Sequence, residues 1–417
     1  MITTEHYYEI VDFSERTLAD VERYASPREQ LLNSAFMSAD HSCLIGEKGV
    51  GKTVLACQKA LKVCGANHEK ILYVSLDDTL FAGDTMYQLA KAAQDRGVDI
   101  VIFDEVHRYQ NWKADLKSIA DRLTIKTITS GSSILSFSDL GGLARRMVKY
   151  QLFGLTFREY LRMHYNFSHP GFTLPEIINP DRDALRNVVS TLTNSCGKPV
   201  AILFDEYLRR GYYAYSLKFS NINDFLQTLR QSTEDTIAYE IVVAQTHSRP
   251  DMARKLQSLF KVIAQQVPYS VDYEALKQVA QIADLRTLKH YLSCLEMAGI
   301  ICSVDRKSIK NLRKPEKLYL GNTCLYFAYA DIHPNMGSLR ETAFLTAMRL
   351  AGADVLVHPR RADFAVGSLG FEIGGPNKGK EQIKGDRKSF IVKDEVDISQ
   401  DPQVLPMWLF GFLVGTP

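Results

Sequence analysis

The 417-residue chain has seven cysteines but no Cys-x-x-Cys pair among them. Cys43, Cys57, Cys64, Cys196, Cys294, Cys302 and Cys324 are odd in number and scattered through mostly apolar surroundings. That argues against a disulfide framework or a metal site and for reduced thiols in a cytoplasm. An excess of one charge is also missing. Fifty Lys and Arg against 48 Asp and Glu leave +2, so any nucleic-acid contact has to come from a local patch rather than the whole-chain field. Long hydrophobic runs are absent too. The opening "MITTEHYYEIVDF" has no basic region leading into an apolar one, and "MWLFGFLV" is far too short to span a bilayer, so no membrane association is expected. What is present is an ordinary globular balance, 46% hydrophobic and 24% charged. The length suits about two to four domains.

"CLIGEKGVGKTVLACQKAL" runs from a short apolar strand into a helical pattern, with Gly46, Glu47, Lys48, Gly49, Val50, Gly51, Lys52 and Thr53 between them. This is the full G-x-x-x-x-G-K-[ST] signature in the strand–loop–helix setting it requires. Its glycines let backbone N–H groups converge on phosphates, aided by the positive end of the following helix. Lys52 is placed to reach the β- and γ-phosphates of ATP, and Thr53 to ligate Mg2+.

Two stretches end in Phe-Asp-Glu: "IVIFDEVH" from Ile100 and "AILFDEYL" from Ala201. In the first, Ile100, Val101, Ile102 and Phe103 are consecutive β-branched or aromatic residues, the pattern of a strand buried on both faces of a parallel sheet. Such a strand delivers its last residues to the carboxyl edge of the sheet, where ligands bind. Asp104 is thereby assigned to Mg2+, through water, and Glu105 to the attacking water. A second buried strand, "IKTITSGSS", ends in Thr129, Ser130, Ser132 and Ser133, whose hydroxyls are candidates for sensing the γ-phosphate. In the second stretch Val200, Leu203, Phe204, Tyr207 and Leu208 recur at helical spacing instead. Pro199 suits the first turn of that helix and Gly211 the position past its end, leaving Asp205 and Glu206 on a solvated face.

Taken in order, "GEKGVGKT", "IVIFDEVHRYQNW", "TITSGSS", "ARRMVKYQLFGLTFREYL", "FDEYLRRGYYAYS", "LRTLKHYLSCLEMAGII" and "KPEKLYLGNTCL" resemble the AAA-type ATPases of bacteria and archaea. Those proteins carry a C-terminal domain of long-uncharacterised function. The resemblance covers nearly the whole chain. It implies ATP hydrolysis, with Lys52 and Thr53 on phosphate and magnesium, Asp104 and Glu105 on magnesium and water, and Ser130 near the sensing position. It also implies that Arg146 acts as an arginine finger, in its own subunit or in a neighbour's, the latter requiring a homo-oligomer. Here Arg145 replaces the family's Gly, and a structural Arg145–Arg146 pair is the alternative.

From about Tyr269, "YEALKQVAQIA" and "LRTLKHYLSCLEMA" read as two helices joined by a tight connection, with Gly299 capping the second and strands "IICSV" and "KLYLG" following. Helix, turn, helix and β-wing describe a winged helix-turn-helix. The wing carries Arg306, Lys307, Lys310, Arg313, Lys314 and Lys317 against Asp305 and Glu316. Lys310, Arg313 and Lys314 are candidates for DNA phosphates, and Arg286, Thr287, Lys289 and His290 for the groove. A protein-binding role for the same module is the alternative.

Beyond it, helix "LRETAFLTAMRLAG", strands around "ADVLVHP", "ADFAVGS" and "LGFEIGG", a helix "KEQIKGDRKSFI" and a last strand "MWLFGFLV" are expected. That order resembles the PD-(D/E)xK nuclease fold. Glu341, Asp363 and Glu372 take its acidic positions, but the lysine position holds Gly374, and Arg361 stands where an acid is common. Lys378, Lys380 or Lys384 would have to swing in from the following segment. Without that migration the domain is a non-cutting scaffold, and Glu341 an exposed helix acid.

The expected fold class is α/β: a P-loop NTPase parallel sheet with a helical lid (1–255), a winged helix-turn-helix (256–330) and a small nuclease-like α/β domain (331–417). The expected function is a cytoplasmic, ATP-hydrolysing switch that engages nucleic acid. A signalling or scaffold ATPase binding a protein partner is the alternative, and a metal-dependent nuclease the third reading.

Overall fold

The computed structural model describes residues 3–24, 26–28, 36–132, 142–244, 251–307, 313–329, 335–359 and 362–415. The chain folds as two compact units, Met1–Phe153 and Gly154–Pro417.

The first unit is an α/β layer structure. After helix α1 (Thr4–Tyr24) come β1 (His41–Gly46), α2 (Lys52–Val63), β2 (Ile71–Ser75), α3 (Met86–Asp95), β3 (Ile100–Asp104), α4 (Trp112–Arg122), β4 (Lys126–Ser132) and β5 (Val148–Leu152). The five strands form one parallel sheet in the order β2-β3-β4-β1-β5. Strand β3 is buried at every position, as its unbroken apolar run demands of a strand covered on both faces. β2 is an edge strand, and α1 covers it: Tyr7, Ile10, Leu18 and Val21 are buried, and the Ser14 hydroxyl accepts the Tyr73 N–H at 2.8 Å. A backbone donor at the sheet edge is thereby satisfied. Because β4 lies between β1 and β3, its hydroxyl residues stand between the phosphate loop and the Phe-Asp-Glu strand.

The second unit begins with helices α5 (Phe157–Tyr165), α6 (Leu174–Ile178), α7 (Arg182–Cys196), α8 (Val200–Glu206), α9 (Ile222–Asp235), α10 (Ile241–Ala244) and α11 (Met252–Gln265). The "AILFDEYL" stretch is helical as its periodicity requires. Asp205 pairs with Arg209 at 2.7 Å, whereas Glu206 is tied to Lys198 at 2.5 Å and to the Tyr165 hydroxyl at 2.6 Å rather than fully solvated. Gly211 is the last residue of this helical run rather than the one past its end. The chain runs on through a π turn, Tyr207–Gly211, and a Cβ at Gly211 would lie 2.9 Å from the Tyr160 ring and collide with that of Tyr207. The glycine is there for ring packing, not for a left-handed cap.

Next come β6 (Tyr269–Ser270), α12 (Tyr273–Val279), α13 (Leu285–Met297), and the antiparallel pair β7 (Ile301–Lys307) and β8 (Arg313–Leu320). Then follow α14 (Thr323–Tyr329), α15 (Met336–Leu350), β9 (Val355–Val357), β10 (Phe364–Val366), β11 (Leu369–Gly374), β12 (Ser389–Lys393) and β13 (Val404–Pro406). The strands join in one mixed sheet, β13-β12-β11-β10-β9-β7-β8-β6, continuous across residue 330 through the pairing of Asp305 with Leu356. Phe344 of α15 packs on this sheet with ring centroids 5.5, 5.2 and 5.0 Å from Phe364, Phe371 and Phe410.

Two expected elements differ. "KEQIKGDRKSFI" is a single 3-10 turn, Glu381–Ile383, followed by β12, because Gly385 at φ 82° breaks the helix and Phe390 to Val392 pair in parallel with β11. "MWLFGFLV" is a 3-10 helix, Met407–Phe412, buried throughout, with Gly411 so close to Phe157 that a Cβ would fall 2.5 Å from that residue's own Cβ. Among the described residues no helix is long and apolar enough to cross a membrane.

Candidate functional site

Gly46 ends β1 opposite Leu152, and a Cβ there would collide with the Leu152 carbonyl oxygen, so the loop can leave the sheet only from a glycine. Gly49 (φ 83°) and Gly51 (φ 97°) then turn the backbone through left-handed conformations into α2, which starts at Lys52. The buried Arg28 side chain braces this turn, donating to the carbonyls of Val50 (3.4 Å) and Phe153 (2.9 Å).

The hydroxyl of Thr53 donates to Asp104 Oδ2 at 2.7 Å, bringing together two motifs 51 residues apart. Asp104 is 4% exposed and accepts two more hydroxyls: Tyr73 on the same Oδ2 at 2.8 Å and Ser130 on Oδ1. Burial first, and then the Asp104 charge, push the Tyr73 phenol far above its ordinary range, so it remains a donor. Lys52 is buried, with Nζ 3.1 Å from the carbonyl oxygens of both Gly46 and Glu47. These are weak partners for an ammonium, readily exchanged for phosphate oxygens. The converging backbone, Lys52, and the Thr53–Asp104 pair therefore fit a nucleoside triphosphate with Mg2+. Burial also raises the Cys57 thiol, leaving it protonated beside Asp104.

Glu105 takes φ 55°, a left-handed conformation uncommon outside glycine, and its N–H donates to the Ser130 hydroxyl at 3.1 Å. Its two carboxylate oxygens lie 4.0 Å from Lys52 Nζ and 3.2 Å from His107 Nδ1. Ser130 thus links the Asp104 carboxylate to the Glu105 backbone. Residues that hold a ligand in place typically change metal affinity or activity roughly 10–100-fold on mutation. Ser130→Ala is expected to lower the ATP turnover number within that range while ATP affinity measured without Mg2+ stays unchanged.

Thr129 turns away to the Ser42 carbonyl (3.3 Å), Ser132 is buried, and Ser133 lies outside the described residues. Arg146 forks onto Asp121 with Nε–Oδ1 2.5 Å and Nη2–Oδ2 3.0 Å, and also donates to the Gly142 carbonyl. A finger role would require it to leave Asp121. Tyr73 and Arg28 escaped the sequence reading. Tyr73 left one signal, a hydroxyl within the otherwise aliphatic "ILYV" run, whereas nothing local marks Arg28.

In the second unit Arg286 and Lys289 are exposed on α13, Lys289 with its Nζ 5.4 Å from the centre of the Tyr273 ring. Thr287 instead bonds the Asp284 cap, and His290 contacts Cys294. In the hairpin Arg306 pairs with Glu316, and Lys317 lies 3.7 Å from Glu341. Lys310 and the side chains of Arg313 and Lys314 lie outside the described residues, as does Arg361.

Glu341 is no exposed acid. It is 18% exposed and accepts the Tyr319 hydroxyl at 2.6 Å; burial, and secondarily the Asp363 charge, raise its pKa. Asp363 Oδ2 accepts the Ile373 N–H at 2.8 Å. Glu372 is 1% exposed; burial again leads in raising its pKa, with Asp363 and Glu341 contributing. Its Oε1 is 2.5 Å from Lys378 Nζ, while Oε2 has no partner among the described residues. No group of three or more His, Cys, Asp or Glu among the described residues is placed to hold a metal ion.

Residues 40–161 match the family model of an AAA domain, and residues 202–335 that of a domain of unknown function (DUF8612). The uncharacterized protein MJ1637 of Methanocaldococcus jannaschii is 25% identical over 294 residues. The alignment takes in 66% of this chain and 59% of that relative's length. Among solved structures, the Walker-type ATPase PABY2304 of Pyrococcus abyssi aligns at 12% identity and a TM-score of 0.38, over 72% of this chain and 93% of that one. A RuvB variant of Thermotoga maritima aligns at 16% and 0.30, over 73% and 90%. The AAA match, the parallel sheet and the phosphate loop together support an AAA-type P-loop ATPase fold for the first part of the chain.

Proposed function

We propose that this protein is an ATP-hydrolysing switch that engages nucleic acid, with ATP and Mg2+ as cofactors. The observation that carries the first half is the 2.7 Å hydrogen bond between Thr53 and Asp104. The groups that would hold the metal, directly and through water, already touch. Mg2+, when bound, neutralises charge on the phosphates. Lys52 would exchange its two carbonyl partners for phosphate oxygens. Glu105, held by Ser130 at its backbone, would orient a water and accept its proton.

The second half rests on α12, α13 and the β7–β8 hairpin, whose order supports a winged helix-turn-helix, and on the exposure of Arg286 and Lys289. With Arg306 and Lys317 drawn onto glutamates, these exposed α13 residues are the cations of this module offered to phosphates. Fluorescence anisotropy with a short duplex, titrated with salt, tests this. The double variant Arg286→Ala, Lys289→Ala is expected to flatten the dependence of log affinity on log salt by about 0.9 per lost contact. No binding at low ionic strength, or an unchanged slope, overturns the nucleic-acid half and leaves the ATPase half standing.

A further inference from the structure

The pairing of β3 with β4 stops at Phe103 and Thr129, so β4 runs on past its neighbour through Ser130 to Ser132. Side chains from the stretch that follows β3 meet this overhang. Ser130 serves the Asp104 carboxylate and the Glu105 N–H. The Ser132 N–H is directed at His107, in the 3-10 turn Val106–Arg108, with its nitrogen 3.5 Å from the ring Nδ1. The same Nδ1 lies 3.2 Å from Glu105 Oε2, and the histidine side chain is only 12% exposed.

One nitrogen cannot serve both neighbours at once. An imidazole Nδ1 carries either a proton or a lone pair. With the lone pair it accepts the Ser132 N–H and sets that lone pair against the Glu105 carboxylate. With the proton it donates to Glu105 and turns an N–H toward the N–H of Ser132. A hydrogen bond to a carboxylate is shorter and roughly twice as strong as one between neutral groups. The distances, 3.2 Å against 3.5 Å, follow that order and favour the proton on Nδ1. Glu105 Oε2 is then anchored by His107, while Oε1 stands 4.0 Å from Lys52 Nζ. Lys52 is the group assigned to the β- and γ-phosphates, so Oε1 is the oxygen left to face a water beside them. A flexible carboxylate fixed through one oxygen has its other oxygen aimed, and aiming is much of what a site of this kind contributes.

We propose that His107 is the positioning residue of Glu105, with two settings. On Glu105, its Nδ1–H holds Oε2 and directs Oε1 to the attacking water. On Ser132, its Nδ1 accepts the backbone N–H and the carboxylate is released, so hydrolysis slows while nucleotide stays bound. The inference rests on the ATPase reading and names a residue that reading does not use. The second setting is tied to the phosphate loop, because Ser132 is the ladder partner of Gly46, the residue from which the loop leaves β1. A shift of the loop at Gly46 is passed along this pair to the N–H that competes for His107.

The test measures ATP turnover against Mg2+·ATP concentration for full-length wild type, His107→Phe, His107→Asn and His107→Gln, and for His107→Phe combined with Glu105→Gln. Phe keeps a flat ring and removes both nitrogens. Its kcat should fall about 10–100-fold with KM held within about twofold. Asn places an amide where Nδ1 stood and should keep most of the rate, whereas Gln carries its amide out to the place of Nε2 and should be as slow as Phe. In the Glu105→Gln background there is no base left to aim, and His107→Phe should cost nothing further, an outcome that a merely structural histidine does not give. Melting curves show whether each variant is folded, and the Asn and Gln pair carries the comparison if Phe is not. Wild-type kcat in His107→Phe, equal rates for Asn and Gln, or a full further loss on top of Glu105→Gln overturns the proposal and leaves the ATPase reading standing. Wild-type protein that releases no phosphate from ATP overturns both.

Discussion

Glu105→Gln protein is expected to bind ATP as wild type does and to release phosphate at least about 100-fold more slowly, the scale of a lost general base. The substitution keeps the shape of the side chain and removes its capacity to accept a proton. Binding should persist because the phosphate-facing groups belong to the loop and α2, while Glu105 stands 4.0 Å from Lys52 Nζ. The backbone reinforces the contrast. Residue 105 sits at φ 55° with its N–H on Ser130, so its backbone is held at the β3 exit by a contact that the substitution leaves in place. Lys52→Ala differs in kind, since it removes a phosphate partner and should weaken binding as well. Titration with a fluorescent ATP analogue beside a phosphate-release assay separates the two, and a Glu105→Gln enzyme with wild-type turnover would remove Glu105 from the chemistry.

Gly321→Ala is expected to cost about 3 kcal/mol of stability, at the upper end for an overpacked site. β8 ends at Leu320, which pairs with Ile301, and Gly321 N–H then donates to the Ile300 carbonyl at 2.9 Å. A Cβ at 321 would overlap the Gly299 carbonyl oxygen and lie 2.7 Å from its carbon. Both are backbone atoms, and Gly299 is itself fixed at φ 73° by its role at the end of α13. No rotamer change relieves the clash. Gly197→Ala offers the comparison: φ is 69°, but nothing lies within 4 Å of the new Cβ, so only conformational strain of about 1 kcal/mol is expected. A melting temperature of the second unit lowered by roughly 6–12 °C for Gly321→Ala, and by far less for Gly197→Ala, is the expected result.

The nucleotide-site motifs were legible because their information is local. A glycine-spaced loop between strand and helix, and four consecutive apolar residues before Asp104, each declare a backbone state from a few neighbours. The same logic separated the two Phe-Asp-Glu stretches, since period 3.6 in Val200 to Leu208 cannot be a strand with one buried face. What escaped is non-local. Tyr73 meets Asp104 because β2 lies beside β3, and Arg28 reaches Val50 across residues whose pattern says nothing of that approach. "MWLFGFLV" is apolar at nearly every position and so carries no period, leaving packing around Phe157 to decide its 3-10 form. Gly374 is a further non-local case. The sequence shows the residue at the lysine position, but only coordinates show which side chain fills its space.

The most direct test of the central claim compares phosphate release from ATP by wild type and Asp104→Asn, with Mg2+ and after its removal by EDTA. Three hydroxyls converge on Asp104, and Asn in its place keeps the volume but surrenders the charge that Mg2+ requires. Wild type should release phosphate with Mg2+ and fall to background in EDTA, and Asp104→Asn should stay near background in both. Equal release by the two proteins, or release that survives EDTA, would contradict an ATPase built on Thr53 and Asp104.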